Sequence, residues 1–125
     1  MKALFDTSVL VGALTTGHPR HSACLPYVQK VRNREIEGYF CTHDIAELYS
    51  VLTGRTNPRI LPADVRLIMS TDLAMFQVID LDSSDYLSVM DQLVTLGLSG
   101  GIFFDALHAF ATSKAGKNAE SSGPA

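Results

Sequence analysis

The chain has 125 residues, of which 46% are hydrophobic and 18% are charged, and this composition is typical of one globular domain rather than of a disordered protein. No apolar run approaches the roughly 20 residues of a membrane span, and the acid at position 6 comes too early for a signal peptide. The formal net charge of −3 argues against a protein that coats nucleic acid by charge alone.

Basic residues are concentrated in the first 66 positions, and after them only His108, Lys114 and Lys117 remain. The concentrated set includes His18, Arg20, His21, Lys30, Arg32, Arg34, Arg55, Arg59 and Arg66. This pattern indicates either an ordinary solvated face or a small basic patch that contacts nucleic acid locally.

The two cysteines, Cys24 and Cys41, lack the spacing of a zinc site or of a disulfide framework. A cytoplasmic protein in a reducing compartment fits this cysteine usage. We expect both residues to be buried or unreactive thiols.

In chain order, short apolar strands alternate with helical segments. The first half predicts a strand at 3–5, an apolar segment at 7–14, a helix at 20–31 with Pro26 inside it, a strand at 39–42, and a helix with Thr42 as N-cap and Gly54 as its stop. The second half predicts a helix from Pro62 through Met75, a strand at 76–81, a helix capped by Ser83 or Ser84 and ended by Gly97, and a helical stripe from Ile102 to Ala111.

This alternation predicts an α/β fold, with a parallel sheet covered by helices on both faces. The segment from Lys114 onward contains no apolar strand. We therefore expect residues 1–117 to form the domain and residues 118–125 to be a disordered tail.

Three acids lie at predicted junctions of strand and helix or near a helix start. Asp6 follows the first strand, Glu47 lies early in the helix after the second strand, and Asp105 follows a glycine-rich entry to the last helix. The alternative roles are an N-cap for Asp6 and ordinary polar helix positions for Glu47 and Asp105.

If these acids converge, their mutual repulsion requires a cation. Clustered carboxylates are the natural ligands of Mg²⁺ or Mn²⁺, and such an ion supports phosphodiester hydrolysis. The sequence contains no phosphate-binding glycine motif, no GxSxG and no HExxH.

The segments around the acids are Ala3-Leu4-Phe5-Asp6-Thr7-Ser8-Val9-Leu10, Asp44-Ile45-Ala46-Glu47-Leu48-Tyr49-Ser50-Val51-Leu52 and Phe104-Asp105-Ala106-Leu107-His108-Ala109-Phe110-Ala111. In order and spacing, they resemble the N-terminal strand, the "AEL" helix and the "DA" helix of the PIN-domain ribonucleases, in particular the VapC toxins of toxin–antitoxin modules. The resemblance covers residues 1–117.

The resemblance implies a PIN-like three-layer fold and a metal-dependent endoribonuclease toxin. Asp6, Glu47 and Asp105 would be its catalytic and metal-binding residues, with Mg²⁺ or Mn²⁺ as the cofactor. It also implies an RNA substrate, a cognate antitoxin protein, a homodimer and no membrane association.

One departure concerns the strand of the type Val-x-Thr-x-Asp/Asn that normally follows in this family. Residues 115–125 contain no such strand, and nothing apolar anchors Asn118 or Glu120 in its place. We therefore expect the last strand to be absent.

An alternative to the active toxin is a degenerate PIN-like domain that binds the antitoxin and no longer cleaves RNA. A further alternative, a flavodoxin-like phosphoacceptor domain, lacks its acid pair and its late-strand lysine.

Overall fold

The computed structural model describes the backbone of residues 1–121 and the side chains of residues 1–115. Within that range the elements are β1 (Lys2–Leu4), α1 (Thr7–Leu14), α2 (His21–Arg32), β2 (Glu37–Cys41), α3 (Thr42–Gly54), α4 (Pro62–Ser70), β3 (Gln77–Ile79), α5 (Ser83–Leu96) and α6 (Ile102–Ser121). The strands form one sheet in the order β1-β2-β3. The predicted α/β class with a parallel sheet is confirmed.

β1 and β2 pair in parallel, with Leu4 opposite Tyr39. The ladder continues one residue beyond β1, because the amide of Phe5 donates to the carbonyl of Tyr39 at 2.8 Å. Parallel strands end at the same edge of a sheet, and ligand sites form outside that edge. Helices α1 and α3, which follow β1 and β2 directly, therefore begin at this edge.

The chain divides into two compact units, residues 1–78 and residues 79–125, which are called the first and second unit below. The first unit contains a continuous apolar core. Its buried members are Phe5, Leu10, Val11, Ala13, Cys24, Val28, Val31, Phe40, Leu48, Leu52, Val65, Leu73 and Phe76. Phe76 joins this core to both strands, since its ring meets Phe5 edge-on at 5.0 Å and Phe40 at 5.7 Å between centroids.

Gly38 allows β2 to pack tightly against this core. A β-carbon at this position would lie 2.7 Å from Cγ2 of Val31 and 2.8 Å from the ring of Phe76. Real side chains do not pack this closely, so only glycine fits between these two buried groups.

Helix α2 is continuous although Pro26 lies inside it. A proline removes one backbone hydrogen bond and crowds the preceding turn. The residue is exposed, while Cys24, Val28 and Val31 on the same helix are buried. Burial of that apolar face offsets the cost of the proline and keeps the helix in one piece.

The second unit contains α5 and α6. Asp82 caps α5 by accepting from the amide of Asp85, and the Asp85 side chain accepts from the amide of Asp82 in return. Gly97 ends α5 with a left-handed φ of 68°, as the sequence predicted. Lys114 of α6 donates to the carbonyl of Asp80 at 2.7 Å and to Oδ2 of Asp85 at 2.9 Å. This lysine ties α6 to the start of α5.

Three predicted helix boundaries were wrong. Asp82 rather than Ser83 or Ser84 is the N-cap of α5. Its carboxylate accepts hydrogen bonds from both the Asp85 amide and the Ser84 hydroxyl. Thr42 is the first residue of α3, with Cys41 in the N-cap position.

The third wrong boundary concerns α4, which ends at Ser70 rather than at Met75. The amides of Thr71 and Leu73 both turn back to the carbonyl of Ile68, which closes the helix.

The described residues contain no strand after β3. The predicted tail, residues 118–125, begins within the last turn of α6 and continues into residues 122–125, which lie outside the described residues, so its disorder stays a prediction. No helix in the described part of the chain is both long and apolar enough to cross a membrane.

Candidate active site

Asp6 occupies the turn between β1 and α1 and is the N-cap of α1. Its Oδ1 accepts from the amide of Val9 at 3.0 Å and from the hydroxyl of Ser8 at 2.8 Å. Within the described residues, nothing donates to Oδ2. The carboxylate is therefore held in one orientation by one oxygen and presents the other oxygen to solvent.

Glu47 lies in the second turn of α3 and is half-buried. No hydrogen bond or ion pair from the described residues reaches its carboxylate. Keeping a partly buried carboxylate without a partner costs free energy, which a bound cation would recover.

A cavity of about 460 Å³ in the first unit brings Glu47 next to the start of α1. Its lining residues are Thr7, Ser8, Val11, His18, Arg20, Glu47 and Val51. Ser8 connects this cavity to Asp6, since its hydroxyl donates to the Asp6 carboxylate. Two of the three predicted site residues are thus joined within one unit through a single serine.

The starts of α1 and α3 are linked by a buried hydrogen bond. The hydroxyl of Thr7 donates to Oδ1 of Asp44 at 2.7 Å, and the amide of Cys41 donates to Oδ2 of the same carboxylate at 2.8 Å. Asp44 is only 1% exposed. This carboxylate fixes the separation between the helix that Asp6 caps and the helix that carries Glu47.

Cys41 lies beside this carboxylate and is fully buried. Burial, and then the negative charge of Asp44, raise the pKa of the Cys41 thiol to about 12. A thiol of this pKa stays protonated at neutral pH and is a poor nucleophile. Cys24 is also buried, and neither cysteine forms a disulfide, which confirms that both are buried thiols.

Asp105 is an exposed residue in the first turn of α6, within the second unit. The predicted convergence of Asp105 with Asp6 and Glu47 stays a prediction.

Sequence reasoning placed Asp6, Glu47 and their elements, and it missed the support that Thr7 and Asp44 give them. In the sequence alone, Asp44 is only an acid whose charge suits the start of a helix. Its position three residues after the end of a strand, with a threonine after the first acid, was the signal that could have identified the pair.

Comparison with known proteins shows the family of this chain. The PIN domain family model matches residues 3–117. Two curated relatives, each named Ribonuclease VapC40, come from Mycobacterium tuberculosis strains CDC 1551 / Oshkosh and ATCC 25618 / H37Rv. Each is 34% identical over 112 residues, which covers 89% of this chain and 78% of the relative.

The family-model match spans the three segments that carry Asp6, Glu47 and Asp105. The family match and the two relatives favour the ribonuclease interpretation over both the impaired binding domain and the phosphoacceptor domain. The chain therefore belongs to the PIN-domain family and, within it, to the VapC-type ribonucleases.

Proposed function

We propose that this protein is an endoribonuclease toxin that hydrolyses RNA phosphodiester bonds with Mg²⁺ or Mn²⁺ held by Asp6, Glu47 and Asp105. The observation that carries the proposal is the state of Glu47. Its half-buried carboxylate has no partner among the described residues and lines a cavity with Ser8, whose hydroxyl holds the Asp6 carboxylate. An all-oxygen set of carboxylates suits a hard divalent cation.

The metal, when bound, would polarise the phosphate, lower the pKa of a bound water and stabilise charge on the leaving oxygen. The chain's own residues prepare that site. Ser8 and the amide of Val9 fix Oδ1 of Asp6, so Oδ2 is presented without a search through rotamers. The bond between Thr7 and Asp44 holds α1 and α3 together at the edge where Asp6 and Glu47 lie.

The proposed partners follow from the same chemistry. An antitoxin would place a basic side chain against the carboxylates of Asp6 and Glu47, where it occupies the position of the metal and blocks RNA. We further propose a homodimer, since two-fold pairing is the commonest assembly of soluble proteins. A reducing cytoplasm is supported by the two unpaired buried cysteines.

The test compares cleavage of total bacterial RNA, including transfer and ribosomal RNA, with Mg²⁺, with Mn²⁺ and with EDTA. We expect cleavage only with a metal, and a loss of at least about 100-fold in Asp6→Asn, Glu47→Gln and Asp105→Asn. Asparagine keeps the capping acceptor of Asp6 while removing the charge.

Matched controls are Asp64→Asn and Asp91→Asn, which change exposed helix acids of the first and second unit. Neither carboxylate makes a hydrogen bond with residues 1–115. Both should retain wild-type activity. Cleavage that persists in EDTA, or that Asp105→Asn leaves intact, would contradict the proposed site.

A further inference from the structure

A groove runs between α1 and α3 and continues past the candidate active site. Its first part is the cavity beside Glu47, and a second cavity of about 270 Å³ follows it. The two share Val11, His18 and Val51, so they form one continuous depression, called the α1/α3 groove below.

Two walls of the groove follow helices α1 and α3. Glu47 and Val51 of α3 are followed at the same interval of four by Arg55, the residue directly after α3. On the other wall, Val11 of α1 is followed at this interval by Thr15, the residue directly after α1. Residues four apart share a helix face. Eight residues of helical rise separate Glu47 from Arg55 by about 12 Å along the axis. In a stacked strand, phosphates follow at roughly 3.4 Å of axis each, so the groove has room for two or more nucleotides.

The lining of the groove includes one acid and two arginines. Glu47 and Arg20 line its first cavity, and Arg55 lines its second. Both arginines are exposed, and neither guanidinium makes a hydrogen bond or an ion pair with the described residues. Two unpaired cations in one groove of a protein with a net charge of −3 form a local basic patch.

His18 lines both cavities and presents a defined hydrogen-bond donor. Its Nδ1 accepts from the backbone amide of Arg20 at 3.0 Å. Since Nδ1 is an acceptor, the neutral ring carries its proton on Nε2. The half-buried ring therefore adds a neutral donor to the two arginines.

We propose that the α1/α3 groove binds the ribose–phosphate backbone of the RNA on one side of the cleaved bond, with Arg20 and Arg55 as positioning residues that contact backbone phosphates. This inference rests on the proposed ribonuclease function. Arginine forks match phosphate geometry, and the Nε2 proton of His18 provides a further donor for a phosphate or a ribose hydroxyl. Contacts of this type position RNA without reading its sequence.

The test measures binding of a fluorescein-labelled, mixed-sequence, single-stranded 12-nucleotide RNA to the full chain in EDTA, which prevents cleavage. Affinity is followed between 50 and 200 mM salt for wild type, Arg20→Ala, Arg55→Ala and the double variant. Each lost phosphate contact should lower the slope of log affinity against log salt by about 0.7. Each single variant should bind roughly two- to fivefold more weakly at low salt.

Arg66→Ala is the matched control, because Arg66 is an exposed arginine of the first unit that lies outside the groove. It should keep the wild-type slope. Arg55→Lys should restore most of the salt slope, because lysine retains the positive charge. If Arg55 had only a structural role, the slope would not depend on the charge at this position. With the metal added, Arg55→Ala should raise KM and leave kcat nearly unchanged.

The outcomes separate this inference from the proposed function. If wild type cleaves RNA but the double variant keeps its salt slope, the groove assignment is wrong and the nuclease stands. If wild type fails to cleave and the double variant loses slope, the groove binds RNA and the nuclease proposal fails. Absence of RNA binding by wild type in EDTA also overturns the inference.

Discussion

The hydroxyl of Thr7 donates a 2.7 Å hydrogen bond to the buried carboxylate of Asp44, which lies 37 residues further along the chain. Thr7 directly follows Asp6, and Asp44 lies one helical turn before Glu47. The bond joins the first residue of α1 to the third residue of α3. It therefore sets the geometry of two metal-binding candidates without either partner taking part in the chemistry.

Thr7→Val tests this relationship because valine keeps the shape of threonine and removes the donor. It leaves Oδ1 of Asp44 buried without its threonine donor, so we expect a loss of about 1–3 kcal/mol in the free energy of unfolding. Urea denaturation measures the loss, and RNA cleavage should fall with it. The exposed Thr16→Val is the control and should stay within about 0.5 kcal/mol of wild type. Equal stabilities of the two variants would show that the bond contributes nothing.

Metal binding should stabilise the folded chain, because the ion binds carboxylates that only the folded state brings together. At a Mn²⁺ concentration 100 times its Kd, the stabilisation is about 2.7 kcal/mol. Thermal melting with and without Mn²⁺ measures it, and Asp6→Asn and Glu47→Gln should lose most of the shift. Glu35→Gln, which changes an exposed acid of the same unit, should retain it. If Mn²⁺ raises the melting temperature of Glu47→Gln as much as that of wild type, Glu47 does not bind the metal.

Gly38→Ala should destabilise the sheet. The added β-carbon would meet Val31 and Phe76 at 2.7–2.8 Å, and both are buried side chains that cannot move aside. Overpacking of this kind costs about 1–3 kcal/mol. Gly54→Ala has open space around it at the end of α3 and should be neutral or slightly stabilising. The urea midpoint of Gly38→Ala should therefore fall, whereas the midpoint of Gly54→Ala should stay unchanged or rise slightly.

Cys41 should make the protein less stable in alkali. Burial, with the charge of Asp44 adding to it, raises the pKa of this thiol from 9.0 to about 12. Below pH 9 both folded and unfolded chains hold the proton, so the contribution to stability is fully present. Between pH 9 and pH 12 the unfolded chain releases the proton and the folded chain does not, so stability falls by about 1.4 kcal/mol per pH unit.

Unfolding of wild type and Cys41→Ala at pH 7.5 and pH 10 isolates this effect. The stability difference between the two proteins should be smaller by about 1.4 kcal/mol at pH 10. Parallel pH profiles would mean that the buried thiol ionises as easily as it does in the unfolded chain.

Asp85→Asn should destabilise the second unit more than a surface change does. Asp85 accepts from the amide of Asp82 and from Nζ of Lys114, both at 2.9 Å, so it closes the cap of α5 and anchors α6. Loss of this charge should cost about 1–2 kcal/mol. Asp91→Asn is the control, because it changes an exposed acid on the same helix that has no side-chain partner in the described part of the chain. A difference below 0.5 kcal/mol between the variants would contradict the anchoring role.

The elements with strong local signals were predicted correctly from the sequence. Asp6 caps α1, Gly97 ends α5 in the left-handed conformation, and Pro62 opens α4. Each depends on the backbone preference of one residue or on a side chain that bonds within three positions of itself. Local preferences of this kind can be recognised from a sequence.

The features that were missed depend on residues far apart in the chain. Asp44 looks like an ordinary helix acid until Thr7 reaches it from α1, and Arg55 looks like a solvated charge until α1 and α3 form a groove. The continuity of α2 through Pro26 depends on the burial of its opposite face. Tertiary packing decides these cases, and no local preference encodes it.

Asp6 both caps α1 and presents an oxygen for the metal. The choice of inactive variant at this position therefore determines how stable the inactive protein is. Asp6→Ala removes the acceptor for the Val9 amide along with the metal ligand, so the loss of about 1 kcal/mol in helix stability accompanies the loss of the chemistry. Asp6→Asn keeps an acceptor at that position and removes only the charge. Trapping of uncut RNA on the folded protein, and hence identification of its cellular target, should therefore be more efficient with asparagine than with alanine.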